Sequence, residues 1–109
     1  MKIKHHPFVA VTWKKIPKVK SNGETGTSWS RTYTMGEIRI RMVKYAAGYL
    51  ADHWCEKGHV IYCIKGSMVS ELKDGRKFAI KKGMSYQVGD SSDAHRSSTK
   101  KGCMLFIVD

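Results

Sequence analysis

Short strand patterns separated by turn residues fill the chain from residue 36 onward, and this feature restricts the fold more than any other. Six segments alternate in hydrophobicity or form short apolar runs: EIRIRMVKY (37–45), HVIYCI (59–64), SMVSEL (67–72), KFAI (77–80), MSYQV (84–88) and CMLFIV (103–108). Turn residues separate them, and the Asp74-Gly75 pair is a strong hairpin signal. Turns at roughly 8–12 residue spacing, without helical periodicity, are typical of all-β folds. We therefore predict a small antiparallel barrel or jelly roll.

The first of these segments has two chemically different faces. Ile38, Ile40 and Met42 lie on one side of an extended strand, whereas Arg39 and Arg41 lie on the other. The alternation predicts a half-buried strand, and the arginines are most simply interpreted as solvent-facing. If their face lines the mouth of the barrel instead, Arg39 and Arg41 are candidates to bind a substrate carboxylate through paired N–H donors.

The N-terminal third of the chain has a different character. The segment WKKIPKVKSNGETGTSWSRTYT (13–34) contains proline and glycine turn signals. It also carries Trp13 and Trp29, whose large apolar surfaces are costly to leave in water. We predict an N-terminal arm over 1–35, with short strands, that packs on a barrel domain at 36–109 or on a second subunit. Together with unpaired strand edges, this arm predicts a homodimer.

Length and composition exclude several classes of protein. A chain of 109 residues suits one domain, and a hydrophobic fraction of 41% is ordinary for a folded protein. No apolar run reaches the roughly 18 residues of a membrane-spanning helix. The apolar run in MKIKHHPFVAV (1–11) is too short for a secretion signal. Three cysteines, an odd number without a C-x-x-C pair, fit a reducing compartment, so we expect a cytoplasmic protein without membrane association.

The net charge of +11 raises the question of an acidic partner. The basic residues are scattered, and the densest run, WKKIPKVK (13–20), matches no nucleic-acid reading motif. Charge alone gives non-specific attraction without a docking geometry, so the sequence disfavours nucleic acid as the partner. An acidic small ligand, an acidic protein surface and a merely basic exterior are all compatible with the same charge.

The stretch ADHWCEKGH (51–59) concentrates residue types that bind metals. In an extended strand, His53 and Cys55 face the same side because side chains alternate with a period of two. A bend in the next three residues would return His59 to the same space, and His95 is a candidate fourth ligand from beyond the GDSSDA loop. Imidazole and thiolate are ligands for zinc, iron, copper and nickel. The simpler alternative is that the histidines are satisfied polar residues and the cysteine is a small buried hydrophobe.

The same residues resemble the first conserved motif of the cupin superfamily, which runs glycine, H-x-H, glutamate and a second glycine. The matching residues, in order, are Gly48, His53, Cys55, His59 and Gly66. The second cupin motif, which begins with glycine and ends with histidine, is matched approximately between Gly83 and His95. Within the superfamily, the chain resembles a group of small single-domain proteins with a D-H-C-W-type signature, which here occupies residues 52–55.

The resemblance implies a cupin jelly roll over residues 36–109 with one divalent metal inside the barrel. It implies metal ligands at four positions: His53, Cys55, His59 and His95. Cys55 stands where a second histidine is usual, and His59 stands where glutamate is usual. These two replacements soften the ligand set, so zinc and copper become as plausible as the iron of cupin dioxygenases.

The resemblance also implies the classes of function to test. A small organic molecule would bind near the metal, and Tyr86, on the strand before the GDSSDA loop, is a candidate to contact it. The protein would then be a metal-dependent oxygenase, isomerase or lyase in which the metal acts as a Lewis acid. The alternative is a non-enzymatic cupin that senses or stores a metal or a small ligand.

Overall fold

Antiparallel strands make up nearly all of the regular structure, which confirms the predicted all-β fold. The structure is a computed structural model that describes residues 2–109. A short 3-10 helix at Trp13–Lys15 precedes eight strands: β1 (Val19–Asn22), β2 (Thr27–Met35), β3 (Ile38–Tyr45), β4 (His59–Leu72), β5 (Lys77–Lys81), β6 (Ser85–Val88), β7 (His95–Ser98) and β8 (Cys103–Val108). Within residues 2–109, no helix has the length and apolar character that crossing a membrane requires.

The long strand β4 organises the fold because it pairs with four other strands. Its first half pairs with β6 and β8, and its second half pairs with β5 and β7. The larger sheet therefore runs β1-β2-β3-β8-β4-β6, and the smaller sheet runs β5-β4-β7. All these pairings are antiparallel, and two sheets joined through β4 in this way fit a jelly-roll barrel.

Gly66 marks the place where β4 passes from the larger sheet to the smaller one. The sequence predicts two strands separated by this glycine, whereas the structure has a single strand of 14 residues. The pairing with β8 shifts between Cys63 and Lys65, and Gly66 has a φ angle of +72°. A bulge with a glycine in the left-handed region bends a strand without ending it.

The hydrophobic core lies between the two sheets and is built from alternate residues of the central strands. In β8, Cys103, Leu105 and Ile107 are buried while the residues between them are partly exposed. The other buried apolar side chains come from β3, β4 and β5: Val43, Ile61, Cys63, Met68 and Ile80. This alternation is expected for strands that place one face on a core.

The charged face of β3 points into the barrel. Directly paired residues of neighbouring strands lie on the same face of a sheet, and Arg41 pairs with Ile107, which is 2% exposed. Ile40 and Met42 therefore lie on the outer face. The interpretation as solvent-facing does not hold for Arg41, whose side chain is 21% exposed, whereas Arg39 on the same face keeps 41% of its side chain exposed.

The residues before β1 pack on the outside of the larger sheet. The Trp13 ring meets the Phe106 ring edge-on, with 6.3 Å between centroids. The His6 Nε2 atom lies 3.0 Å from the Tyr33 hydroxyl oxygen. Strand β2 pairs with β3 along eight residue pairs and so belongs to the same sheet. The division of the chain at residue 36 stays a prediction.

Candidate metal centre

Cys55, His59 and His95 meet at one point inside the barrel. Their ligand atoms all lie within 4.8 Å of one another. His59 begins β4 and His95 begins β7, while Cys55 lies in the segment before β4. Cys55 and His95 form an isolated antiparallel bridge with N···O distances of 2.7 and 3.0 Å, which holds the thiol beside the imidazole. One sulfur and two imidazole nitrogens at this separation suit a single metal ion.

Two loops fix the positions of these three residues. The Gly58 N–H donates to the Asp90 Oδ1 at 2.6 Å, and the Ser91 N–H donates to the Glu56 carbonyl oxygen at 2.8 Å. The loop after β6 is thereby fastened to the bend that precedes His59. A Cβ at position 58 would lie 2.7 Å from the Asp90 nitrogen, so the close approach requires glycine.

The hydrogen bonds of His95 determine which of its two nitrogens carries the proton and which presents a lone pair to the cluster. Its Nδ1 lies 2.8 Å from the carbonyl oxygen of Asp93, which can only accept a hydrogen bond, so Nδ1 carries the proton. The lone pair therefore lies on Nε2, which is 2.8 Å from the Nε2 of His59. An imidazole whose far nitrogen donates to a backbone carbonyl is oriented as metal-bound histidines usually are.

His59 is placed for the same role. Its Nδ1 is buried and has no hydrogen-bond partner within residues 2–109, and the nearest carboxylate oxygen, Asp109 Oδ2, lies 3.9 Å away. A proton on this Nδ1 would point towards a buried carboxylate and leave the Nε2 lone pair for a metal. The unpartnered nitrogen therefore fits a histidine that binds a metal through its other nitrogen.

The pKa of His59 is lowered to about 4, chiefly by burial, with the neighbouring His95 and Arg41 adding to the effect and Asp109 opposing it. The imidazole is therefore neutral at pH 7. A neutral imidazole is the form that binds metals, so the environment prepares this residue for ligation at physiological pH.

Tyr86 adds an oxygen to the cluster. Its hydroxyl lies 3.3 Å from the Nε2 of His59, and its ring stands edge-on to His59 and His95 at 5.7 and 6.0 Å between centroids. Burial raises the pKa of this phenol to about 12, so it keeps its proton at neutral pH. Tyr86, a candidate from its sequence position to contact the ligand, lies directly beside the two imidazoles.

Asp109 is the residue that sequence reasoning missed. Its side chain is 1% exposed, and Arg39 binds it through two hydrogen bonds of 2.9 and 3.0 Å. Arg41 adds a third at 2.8 Å. Burial raises the pKa of the Asp109 carboxyl, but the Arg39 hydrogen bond and the two arginine charges lower it more, so it lies below its ordinary value. The alternation of β8 places this carboxylate on the buried face, a signal that was available in the sequence.

The structure does not bring His53 to the other three residues. Its side chain is 75% exposed, and its Nδ1 lies 2.6 Å from the Oδ1 of Asp52. The predicted alignment of His53 with Cys55 requires a strand through residues 53–55, whereas the structure has bends and a single bridge residue there. Without a regular strand, the alternation that would align His53 with Cys55 is lost.

A cavity of about 310 Å³ opens onto the cluster. Its walls include Arg39 and Arg41 on β3, and His53 and Lys57 in the segment before β4. A second cavity, of about 410 Å³, also reaches His95. It lies between β5 and β6, and its lining is mostly apolar: Leu72, Phe78, Ile80, Met84, Tyr86 and Val88. The first cavity therefore combines the metal-binding residue types with charged groups, whereas the second offers mainly apolar surface.

Comparisons with known proteins give matches of fold and none of sequence family. No protein-family model matches the chain, and a search of curated proteins gives no match. A predicted oxalate decarboxylase from Thermotoga maritima has a TM-score of 0.77 and 16% identity, over 92% of this chain and 96% of that chain.

Two further solved structures are similar over most of the chain. Fe(II)-HppE with an alternative substrate has a TM-score of 0.75 and 10% identity, over 94% of this chain and 60% of that chain. A sugar phosphate isomerase of the cupin superfamily from Silicibacter pomeroyi has a TM-score of 0.73 and 11% identity, over 92% of this chain and 74% of that chain. At such identities, the likeness concerns the fold and carries no activity over to this chain.

Proposed function

We propose, from the cupin fold that this chain has, that the protein binds one divalent transition metal inside the barrel and a small organic ligand in the cavity beside it. The observation that carries the proposal is the convergence of Cys55, His59 and His95 within 4.8 Å. The proton arrangement supports it, because His95 presents a lone pair to the cluster and His59 is neutral at pH 7. Side chains that meet only to fill a core would not need a lone pair directed into the cluster.

The residues that would hold the metal are the Cys55 thiolate and the Nε2 atoms of His59 and His95. Tyr86 lies close enough to supply an oxygen, and His53 would join only by turning away from Asp52. One thiolate with two imidazoles suits zinc or copper, and iron remains compatible, since a protein of the same fold is described with Fe(II). The bound metal would supply a Lewis acid that polarises a ligand oxygen.

An enzymatic role as an isomerase, lyase or oxygenase is supported by the relatives in fold, which include a sugar phosphate isomerase and a predicted oxalate decarboxylase. The chain's own contribution would be to orient the ligand and to donate a hydrogen bond. Tyr86 is suited to the second task because its phenol keeps its proton. An oxygen of the ligand near the two imidazoles would be within reach of this hydroxyl.

A non-enzymatic role is the alternative, and one observation favours it. Asp109 is the carboxylate that lies within 4 Å of a histidine nitrogen of the cluster, and its hydrogen bonds and ion pairs with Arg39 and Arg41 keep its pKa below the ordinary value. A general base works best with a pKa near the operating pH, which this carboxylate does not have. A site without such a base suits a protein that senses or stores a metal or a small ligand.

Metal titration tests the proposal. The chain is stripped with a chelator and titrated with Co²⁺, and a thiolate-to-cobalt absorption band with a stoichiometry of one ion per chain is expected. Cys55→Ser should abolish the band, whereas His6→Gln, in the segment outside the barrel, should leave it unchanged. The metal proposal would be wrong if no cobalt band formed and if elemental analysis of the purified protein also found no near-stoichiometric metal.

A further inference from the structure

We infer that the β3 wall of the same cavity is a carboxylate-binding site, in which Arg41, supported by Arg39, receives the acidic group of the ligand. This inference rests on the proposed function, because it identifies the ligand beside the metal cluster as a small carboxylic acid. It adds the chemical class of the ligand and the residues that recognise it.

The first support is an excess of positive charge on this wall. Two inward guanidinium groups face a single carboxylate, Asp109, whose side chain is 1% exposed. Arg39 alone binds both oxygens of that carboxylate, so it already balances the charge. The charge of Arg41 is therefore surplus. A surplus charge on the wall of a partly desolvated cavity attracts an anion more strongly than it would in water.

The second support is an excess of hydrogen-bond donors on Arg41. A guanidinium has five N–H donors, and Arg41 gives one of them to Asp109 at 2.8 Å. Its Nε–H is buried and has no acceptor within residues 2–109. The Arg41 side chain as a whole is 21% exposed and lines the cavity, so the N–H groups at its tip that Asp109 does not use are available to a planar carboxylate, whose geometry fits the edge of a guanidinium.

The net charge of the wall selects a monoanion. Arg39, Arg41 and Asp109, which are held together by ion pairs of 2.8 and 2.9 Å, carry a combined charge of +1. In the metal-free chain, one carboxylate would neutralise this wall, whereas a phosphate dianion would leave a negative charge beside it. Lys57 lies at the exposed edge of the cavity, where its charge is screened by solvent and acts mainly to attract anions from outside.

The alternative is that Arg41 only stabilises Asp109. In that case, its Nε–H should not respond to added carboxylate. The two explanations are separated by ¹H–¹⁵N spectra of the arginine Nε–H groups in the full metal-free chain. The probes are butyrate, its uncharged amide butyramide, and inorganic phosphate, at constant ionic strength. Arg76, which pairs with Asp74 on an exposed hairpin, provides an internal control in the same spectrum.

Butyrate should shift the Arg41 Nε–H resonance in a saturable way and leave that of Arg76 in place. Butyramide should shift neither resonance, and phosphate should bind more weakly than butyrate. Arg41→Lys, which keeps the charge beside Asp109, should weaken butyrate binding by about tenfold, the loss expected for one charge-assisted hydrogen bond. The inference would be overturned if the Arg41 resonance did not shift with butyrate, or if butyramide shifted it equally. Tighter binding of phosphate than of butyrate would overturn it as well.

The cobalt titration separates this inference from the metal proposal. If the cobalt band forms but the Arg41 resonance does not shift with butyrate, the carboxylate site is excluded and the metal site is retained. An Arg41 that binds butyrate in a chain without a cobalt band would retain the carboxylate site and remove the metal. Arg41→Lys should leave the cobalt band unchanged, since it alters no proposed metal ligand, and a lost band in that variant would contradict the separation of the two sites.

Discussion

His59 is the single residue whose surroundings constrain the chemistry of the cavity most. One nitrogen faces His95 at 2.8 Å, and the other points towards Asp109 at 3.9 Å. The two nitrogens cannot both carry protons while the ring stays neutral. Binding of a metal at Nε2 would place the proton on Nδ1, where Asp109 is the acceptor. The carboxylate would then set the orientation and basicity of the ligand imidazole.

Asp109→Asn should therefore weaken metal binding by about 10- to 100-fold, the usual effect of removing a carboxylate behind a ligand histidine. A competition titration against a chelating dye measures this affinity. Asp93→Asn is the matched control, because His95 contacts the backbone oxygen of Asp93 and not its carboxylate. Equal affinities in the two variants would contradict the role given to Asp109.

His59 also predicts a pH dependence for the metal-free protein. Its pKa falls from an ordinary 6.5 to about 4 in the folded chain, chiefly through burial, so between these values the unfolded chain binds more protons. Stability from this group is complete above pH 6.5 and is lost as the pH falls towards 4. At pH 4.5 the loss should be on the order of 2 kcal/mol.

Urea unfolding at pH 7 and pH 4.5 tests this expectation by comparing the unmodified chain with His59→Gln. Other groups also titrate between pH 4.5 and pH 7, but their contributions to stability are the same in the two proteins and cancel when the two losses are compared. The unmodified chain should lose more stability on acidification than the variant does. The same loss in both proteins would show that His59 keeps an ordinary pKa in the folded state.

At the scale of strands, alternation identified β3 but not which of its faces is inside. The alternation places Ile40 and Met42 on one face and Arg39 and Arg41 on the other. It does not show which of the two faces points into the barrel. The orientation is decided by the pairing with β8, whose inward residues continue to Asp109. Long-range pairing of this kind, between residues about 70 positions apart, cannot be read from a local pattern.

The candidate site was predictable to the same limited extent. The residue types and the glycines of the two cupin-like motifs pointed to Cys55, His59 and His95, which the fold brings together. The orientation of His53 depends on the irregular segment before β4, where no ladder enforces alternation. The all-β fold was accessible because turn residues such as Gly75 and Gly83, which lie between strands, mark strand ends directly in the sequence.

The bend in β4 gives a prediction at this scale. Gly66 has a φ angle of +72°, and a Cβ there would collide with the carbonyl oxygen of Gly102. Gly83 has a similar φ of +87° but open space around it, so it is the matched control. Gly83→Ala should lower the free energy of unfolding by about 1–2 kcal/mol through its backbone alone.

Gly66→Ala should lower it by at least about 1 kcal/mol more, because the clash with Gly102 adds to the backbone strain. Chemical denaturation of both variants measures the difference. Equal losses would mean that Gly102 moves away from the added methyl group without penalty, and only the positive φ angle would then favour glycine at this bend.

At the scale of the whole molecule, the outer face of the larger sheet carries exposed apolar side chains. Val60 and Tyr62 of β4 are 41% and 45% exposed, and Phe8 in the N-terminal segment is 98% exposed. Trp13 covers only the neighbouring part of this face, around Phe106. Exposed apolar side chains in such number are typical of an interaction surface, and we propose that a second copy of the chain covers them.

A homodimer should therefore sediment from the unmodified protein at micromolar concentration. The double variant Val60→Lys with Tyr62→Lys should sediment as a monomer, because two charges on each copy would meet across the interface. Met84→Lys is the matched control, since Met84 is 44% exposed on the turn between β5 and β6, away from this face. It should leave the dimer intact. A monomeric mass for the unmodified chain, or a dimer that survives the double substitution, would assign this apolar face to something other than a second copy.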